Sequence, residues 1–472
     1  MLQKIFHSQT RTITTAALIL SVASLISRLL GLIRDRLLAS TFGAGSDLDV
    51  YFAAFRIPDF IYNILIAGGI VVAFLPLFSE YFLKDKKEAW DFVNNALNVF
   101  LFFLVLVSLG ISIFAPFLVK IITPGFDPQQ ISLCVLLTRI LFLSPILLGL
   151  SSIFSGVLQY FNRFLIYSLA PISYNVGIIL GIVFLAPSSG ILGVTLGVIT
   201  GAFLHFFIQF ISSFSVGFSY KPLFKILDPK IKKVFSLMIP RTLGVAAPQI
   251  NLMVVTAIAS ILPAGALSIF TLANNLQQFP MGLIGIPFAI AAFPALSKAW
   301  AAQKKDEFLE KFLSAFRKIL YLVIPLSILI FVFRNQIILI YKTGRYGEEA
   351  ASLTAVSLGL FALGIFATTL IPLILRAFFA LKDTKTPTII SIGGMILNVF
   401  LCFGLTHILS FPNVFQNFVE RIFGLQGIND ISVVGLALAF SIDSILQFIF
   451  LLIFLFYKLN AKNNNSRIET VN

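Results

Sequence analysis

Apolar runs of about 18 residues or more recur along this chain from one end to the other. In hydrocarbon every backbone N–H and C=O has to be satisfied within the protein, which leaves the α-helix and the closed β-barrel as spanning structures. Barrel strands alternate apolar and polar residues, and these runs do not, so helices are predicted. Composition agrees: 58% of residues are hydrophobic and 11% charged, where a soluble globule carries about a quarter charged. No polar stretch is long enough for a soluble domain. The first run follows Arg11, is too long for the apolar part of a signal peptide and lacks a small-residue cleavage site, so it reads as a retained helix. Cys134 and Cys402 lie inside apolar runs and read as small buried hydrophobes. His7, His205 and His407 are scattered, so no metal site is expected.

The pattern predicts an all-α polytopic membrane protein with twelve transmembrane helices, near 12–40, 49–80, 92–119, 131–159, 164–186, 190–217, 232–261, 265–298, 308–333, 350–380, 386–409 and 431–457. Those of about 30 residues would run about 45 Å, longer than a core of about 30 Å, and must tilt or bend. Pro58, Pro76, Pro145, Pro240, Pro287, Pro372 and the pair Gly68–Gly69 supply bend points. With the N-terminus inside, inner segments collect the basic residues around 84–87, 221–233, 298–318 and 458–467. The outer segments hold Lys120, Arg334, Lys342, Arg345 and Arg421. This bias predicts both termini in the cytoplasm, and it explains most of the net charge of +14 without nucleic acid.

The chain also repeats itself. AFLPLFSE from Ala73 resembles AFPALSKA from Ala292, pairing Pro76 with Pro294; SRLLGL from Ser27 resembles PRTLGV from Pro240, pairing Arg28 with Arg241. YFNR from Tyr160 falls opposite ALKD from Ala380. Six helices per half give both halves one orientation and place a site between them. The expected layout is an N-terminal lobe over 1–218, an inner-surface linker over 219–231 and a C-terminal lobe over 232–460. The second lobe includes an interfacial helix near 411–424, and a disordered tail covers 461–472.

Residues 27–59 (SRLLGLIRDRLLASTFGAGSDLDVYFAAFRIPD) interrupt the apolar pattern with Arg28, Arg34, Arg36, Arg56, Asp35, Asp47, Asp49 and Asp59. A charge at the bilayer centre costs about 3 kcal/mol even on the lenient scale, so such residues face a cavity or a partner. Arg28 and Asp35 share a helix face, as do Asp49 and Arg56, with Asp59 and Asn63 continuing the second face and Arg34 pointing elsewhere. Arg34, Arg36 and Arg56 can also be read as snorkelling at outer helix ends. Outer flanks elsewhere in the chain are poor in cations, which favours a role for Arg34 and Arg56. Arg28 is the deepest of the group, and Arg241 is its counterpart in the second half. Arg139 and Arg376 read as snorkelling or structural. For Asp443 in the last helix, structural pairing and cation binding both stay open. Walker A, H-E-x-x-H and G-x-S-x-G signatures are absent, and no inner loop carries an acid cluster for lipid phosphotransfer.

Taken together, several segments resemble one family, the MurJ (MviN) lipid II flippases of the MATE-like multidrug/oligosaccharidyl-lipid/polysaccharide exporter superfamily. They are SRLLGLIRDRLLASTFGAG, the Asp49-x-Tyr-Phe-x-Ala-Phe-Arg-x-Pro run, AFLPLFSEY, TPGFDP at Thr123 and NRF-x5-AP from Asn162. PRTLG-x3-PQIN at Pro240, FPMGLIGIPFAIAAFPALS at Phe279 and LRAFFALKDTKTP at Leu375 complete the set. The resemblance implies two pseudo-symmetric six-helix lobes around a central V-shaped cavity. It also implies alternating-access transport of the polyprenyl-pyrophosphate-linked peptidoglycan precursor across a bacterial cytoplasmic (inner) membrane. It puts Arg28, Arg34 and Arg56 on the anionic head of the cargo and Asp35 and Asp49 in charge pairing within the cavity; the repeat adds Arg241 to the first group, and the helix face adds Asp59 to the second. No cofactor is expected; a coupling cation or the membrane potential is the expected drive. A monomer is expected, with membrane lipids and other cell-wall synthesis proteins as partners and no nucleic acid. The chain departs from the family where Tyr62 and Asn63 stand in place of basic residues, and where Asn274 and Asn275 stand in place of an Asp-Arg pair. It also has twelve predicted helices where some members have fourteen, which leaves the lipid-tail path open. The rival readings are a flippase for another polyprenyl-linked glycan, a MATE-like drug/cation antiporter, and a membrane enzyme or scaffold of cell-wall synthesis.

Overall fold

The computed structural model describes the backbone of residues 13–469; the side chains of 13, 14, 16, 17, 67–73, 239–245 and 461–469 are outside the description. Arg241 and the Gly68–Gly69 pair therefore lie outside the described side chains. Regular structure among the described residues is helical throughout. Eight stretches among them are long and apolar enough to cross a membrane. The chain divides into two compact units, Met1–Ala257 and Ile258–Asn472.

Unit 1 begins with α1 (Ile13–Phe42), α2 (Ser46–Ala54), α3 (Arg56–Ile61) and α4 (Val71–Lys84), and continues with α5 (Lys86–Ile122) and α6 (Pro128–Leu141). Then come α7 (Leu143–Tyr160), α8 (Phe164–Leu180), α9 (Ala186–Phe214) and α10 (Pro229–Ile261), the last of which runs just past the boundary between the units. Asp127 opens α6 with a capping box: its side chain accepts from the N–H groups of Gln129 and Gln130, and Gln130 reaches back to the Asp127 N–H. Gly190, at φ 56° and ψ −139°, turns the chain between the two apolar stretches expected at 164–186 and 190–217.

Glycines set how closely α8 and α9 approach. Gly177 and Gly181 on α8 and its extension meet Gly193, Gly197 and Gly201 on α9, all at four-residue spacing. A Cβ on Gly177 would stand 2.3 Å from the Gly201 Cα, and one on Gly181 would stand 2.5 Å from the Gly197 Cα. In lipid there is no hydrophobic gain from helix association, so close backbone packing of this kind is what joins two helices.

The compact unit extends beyond the boundary at 218 read from the sequence. Ile231, Val234 and Met238 of α10 are buried with Phe74, Phe78, Phe92 and Phe100 in the core of unit 1. The connecting segment is latched to α5 by asparagines. Asn94 bonds the Ser219 carbonyl and the Lys221 N–H, Asn95 bonds Lys225 through both its carbonyl and its N–H, and Asn98 bonds the Leu223 carbonyl.

Unit 2 contains α11 (Ala266–Pro280), α12 (Ile286–Ala301), α13 (Lys305–Val332), α14 (Arg334–Ile338), α15 (Glu348–Ala380), α16 (Lys385–Ile408), α17 (Val414–Phe423) and α18 (Val433–Glu469). α15 is its centre, buried along most of its length. α17 is capped by the Asn413 side chain and closed by a left-handed Gly424 at φ 69°. Its Val414, Phe418 and Ile422 are exposed. The helix of α18 continues to Glu469, through the polar segment whose composition predicts disorder.

Two irregularities fall at positions that the sequence offset pairs. Tyr62–Ile70 and Met281–Gly285 are π-helical, and each leads into a helix bearing a paired proline, Pro76 in α4 and Pro294 in α12. Asn162 and Lys382 both take left-handed backbone, at φ 56° and 58°, and the following N–H reaches back to the carbonyl of Leu158 in one case and of Phe378 in the other. A third π segment, Gly181–Leu185, joins α8 to α9.

At the second of these turns Asp383 is bonded by the Lys458 ammonium and by the Thr386 N–H. Burial pushes the Asp383 carboxyl up, but the bonds from Lys458 and Thr386 outweigh it and hold the carboxyl below the ordinary carboxylate range. A depressed carboxylate stabilises the fold above its unfolded-state pKa, and that contribution is lost as pH falls through the folded value. Asp383→Asn should therefore lower the melting temperature in detergent at pH 7, and the difference from the parent protein should begin to shrink near pH 4 and vanish only as pH falls through the depressed folded value. Thermal unfolding followed from pH 7 down through the acid range checks this.

Candidate functional site

Unit 1 contains a cavity of about 320 Å³ lined by residues of α1, α3, α6, α7, α8 and α9. Phe55, Pro58, Leu141, Pro145, Leu148 and Pro171 give it apolar walls, and Ser27, Arg34, Asp59, Tyr62, Ser144, Tyr174, Asn175 and His205 give it polar ones. α1 and α8 pack along one another, and that contact carries the central group. Arg34 Nε and NH2 donate to Asp35 Oδ1 at 2.9 and 2.7 Å, and NH1 donates to Asn175 Oδ1 at 3.2 Å. Asn175 is fixed in turn, donating to the carbonyl of Ser27 at 3.2 Å. The Asp35 side chain is 4% exposed and that of Arg34 24%, so the carboxylate is sealed in while the guanidinium still reaches the cavity. Guanidinium has five N–H donors in a planar fork. Three are engaged by Asp35 and Asn175, which leaves two N–H groups for other acceptors.

Arg28 and Asp35 share a face of α1, and Asp35 is bridged by its sequence neighbour Arg34, whose long side chain folds back to it. Arg28 is half-buried and is not among the residues lining this cavity. Arg36 is exposed. Asp49 is buried in α2. Arg56 opens α3 and donates from Nε to Thr256 Oγ1 on α10 at 2.8 Å. Asp59, one turn further along α3, lines the cavity, and its carbonyl accepts from Asn63 Nδ2.

Sequence reasoning missed Tyr174, Asn175 and His205. Ser151 Oγ lies 2.8 Å from His205 Nδ1 and accepts from Gln209 Nε2 at 2.9 Å; Ser155 donates to Gln209 Oε1 at 2.6 Å. A polar ladder thus runs from the cavity wall into the lobe between α7 and α9. Its signal was present: Ser151 with Ser155, and His205 with Gln209, are polar pairs at four-residue spacing inside apolar runs.

Unit 2 is neutral at two positions where unit 1 is charged. In the register that pairs Pro76 with Pro294, Arg56 falls opposite Asn274 and Asp59 opposite Gln277. There Gln277 Nε2 donates to Asn274 Oδ1 at 2.9 Å, and Asn274 and Asn275 are half-buried on α11. Among the described residues no group of three or more His, Cys, Asp and Glu side chains is placed to hold a metal.

The sequence profile of the family described as lipid II flippase MurJ matches residues 38–468. The chain belongs to the MurJ family. A lipid II flippase MurJ of Burkholderia cenocepacia is 29% identical over 392 residues, covering 81% of this chain and 76% of that one. A solved structure of lipid II flippase MurJ in an inward closed conformation superposes with a TM-score of 0.74 at 26% identity, over 94% of this chain and 90% of its own. An inward-facing multidrug-resistance MATE transporter of the MOP superfamily gives a TM-score of 0.76 at 14% identity, over 96% of this chain and 99% of its own; that likeness speaks for the fold alone. A MurJ-family protein is a transporter and not an enzyme, and this chain is a polytopic, all-helical membrane protein of that type.

Proposed function

We propose that this MurJ-family chain moves lipid II, the polyprenyl-pyrophosphate-linked peptidoglycan precursor, from the inner to the outer leaflet of the bacterial cytoplasmic membrane. The observation that carries the reading is the extent of the family match, which crosses both compact units. The chemistry supports it: an anionic head suits arginines held in a protein interior, while a polyprenyl tail can stay in lipid. In this reading twelve helices form two six-helix lobes around a V-shaped cavity, with both termini cytoplasmic, and rocking of the lobes exposes the cavity to each side in turn. α17 lies in the outer interface, its exposed apolar face in lipid. Arg28, Arg34, Arg56 and Arg241 hold the pyrophosphate and acidic head. Asp35, Asp49 and Asp59 balance them, and Asn274 and Asn275 contribute polar contacts from the second lobe. The protein acts as a monomer, driven by the membrane potential or a cation gradient.

The test is head-group accessibility of lipid II in proteoliposomes holding the purified protein, read with a membrane-impermeant probe with and without an imposed potential. Lipid II should become accessible only with protein present. Failure by folded, correctly inserted protein would move the assignment to another polyprenyl-linked glycan. In cells, Arg28→Ala should not complement loss of the resident flippase although protein level stays normal; full complementation would remove Arg28 from the site. A cationic-drug antiporter is disfavoured by the guanidinium at the unit 1 cavity.

A further inference from the structure

Asp443 lies about 15 Å along α18 from its start, the middle of a core of about 30 Å. It is 8% exposed, and its Oδ1 is buried with no hydrogen-bond partner among the described residues. An ionisable side chain at such a depth is expensive and normally paired. The facing surface of α16 is built around it. A Cβ at Gly394 would stand 2.9 Å from Asp443 Oδ1, so glycine at this position leaves the carboxyl its room. One turn on, Asn398 is fully buried, its Oδ1 accepts from Cys402 Sγ at 3.5 Å, and its Nδ2 has no acceptor among the described residues. On the other side, Gln447 donates to Ser391 Oγ at 3.0 Å. An orphan acceptor and an orphan donor thus sit on facing helices deep in unit 2.

Among the described residues no ion pair joins Asp443 to the helices packed on α18. α11 has no ionisable side chain. α15 carries Glu348 and Glu349 in its first turn, and Arg376, whose guanidinium lies over the Phe293 ring. α16 has Lys385 and His407 at its two ends, with only the Cys402 thiol between. The charges of α13 fall within 305–318; Arg317 and Lys318 adjoin Phe316, whose ring stacks on Phe448, but both side chains are exposed, and Lys458 of α18 is held by Asp383. Hard metal cations are held in shells of several oxygen ligands, whereas this site offers one carboxylate, and the oxygens of Asn398 and Ser391 beside it already accept from Cys402 and Gln447. A proton needs no such shell.

We propose that Asp443 is a proton-carrying carboxyl of unit 2 that changes charge state during transport. The step is a proton transfer from hydronium that converts carboxylate to carboxylic acid and leaves water; release runs the reverse. Net charge at the site changes from −1 to 0 and back, which makes the cycle sensitive to a pH gradient. This rests on the flippase reading for its transport arm only.

Two measurements test it. Infrared difference spectra of the purified protein in nanodiscs, taken across a pH titration, should show a carboxylic-acid band that is missing in Asp443→Asn and shifted in Asp443→Glu. In proteoliposomes holding lipid II, one unit of imposed pH difference should change the parent protein's rate by up to about tenfold and that of folded Asp443→Asn by less than about twofold. Gly394→Ala, which crowds Oδ1, should behave like Asp443→Asn. An unchanged band in Asp443→Asn overturns the proposal, as does a full pH response in that variant, or a response that follows sodium in place of pH. If the parent protein does not move lipid II, the flippase reading fails, and the infrared titration still decides the role of Asp443.

Discussion

The double variant Arg34→Gln with Asp35→Asn should fold and yet lose lipid II translocation by at least about 100-fold, the equivalent of roughly 2.7 kcal/mol of lost stabilisation. The reasoning starts from what each single change would do. Arg34→Ala leaves the Asp35 carboxylate buried without its guanidinium, and breaking a buried pair costs about 3–5 kcal/mol of stability. A dead Arg34→Ala protein would therefore not separate binding from folding. The paired amides remove both charges at once, so no carboxylate is left buried without its guanidinium, although the shorter Gln side chain gives up the reach to Asn175. What they cannot supply is the charged fork, and hydrogen bonds to charged groups are worth about 1.5–3 kcal/mol each. Folded protein with intact thermal unfolding and no head-group exposure is the expected outcome. Translocation within about threefold of the parent, under roughly 0.7 kcal/mol, would take Arg34 out of cargo recognition.

The second large effect is predicted for Gly201. A Cβ there would stand 2.4 Å from the Tyr174 carbonyl oxygen, which is backbone and cannot rotate away. Gly201→Ala should cost about 2–3 kcal/mol and lower the melting temperature by roughly 5–10 °C. Gly201→Leu should prevent accumulation of folded protein, because α8 and α9 would be forced apart along their whole glycine seam. Gly110→Ala is the control: a Cβ there meets nothing within 4 Å, and alanine in place of glycine inside a helix adds up to about 1 kcal/mol. Equal melting temperatures for Gly201→Ala and Gly110→Ala would refute the argument. The seam also positions the site, since Tyr174 and Asn175 ride on α8 and His205 on α9. Milder changes should therefore affect transport before they affect stability.

Helix positions were legible because the bilayer imposes one simple rule on sequence. The stretch expected at 92–119 is helical over Lys86–Ile122, and that at 350–380 over Glu348–Ala380. The extra residues at the ends are polar caps and flanks that hydropathy undercounts. The stretch expected at 49–80 was legible only in outline. It is interrupted at Phe55 and again by π-helix from Tyr62, and neither break has a hydropathy signature. Within the candidate site the charged members stood out because charge is rare in an apolar run. Asn175 did not, since a lone neutral polar residue gives no periodic signal and its partners Ser27 and Arg34 are distant in sequence, while His205 was readable only through its four-residue spacing from Gln209. The Arg34–Asp35 pair escaped for the opposite reason: adjacent residues on a helix point apart, and only the reach of the arginine side chain brings them together. Asp443 was visible, but whether it had a partner was a three-dimensional question.

The π-helical segments at Tyr62–Ile70 and Met281–Gly285 have a historical consequence. A π turn holds one residue more than the α turn it replaces, so within a helix it is the mark of a single-residue insertion. On the reading of this chain as a duplicated half, an irregularity at the same register in both copies was inherited by both, and so was already present in the ancestral half-length protein. The segment at Gly181–Leu185 has no described counterpart in α16, so the copies came to differ there after they parted, by gain in the first or loss in the second. The order of events in a lineage can thus be read from where its helices are irregular.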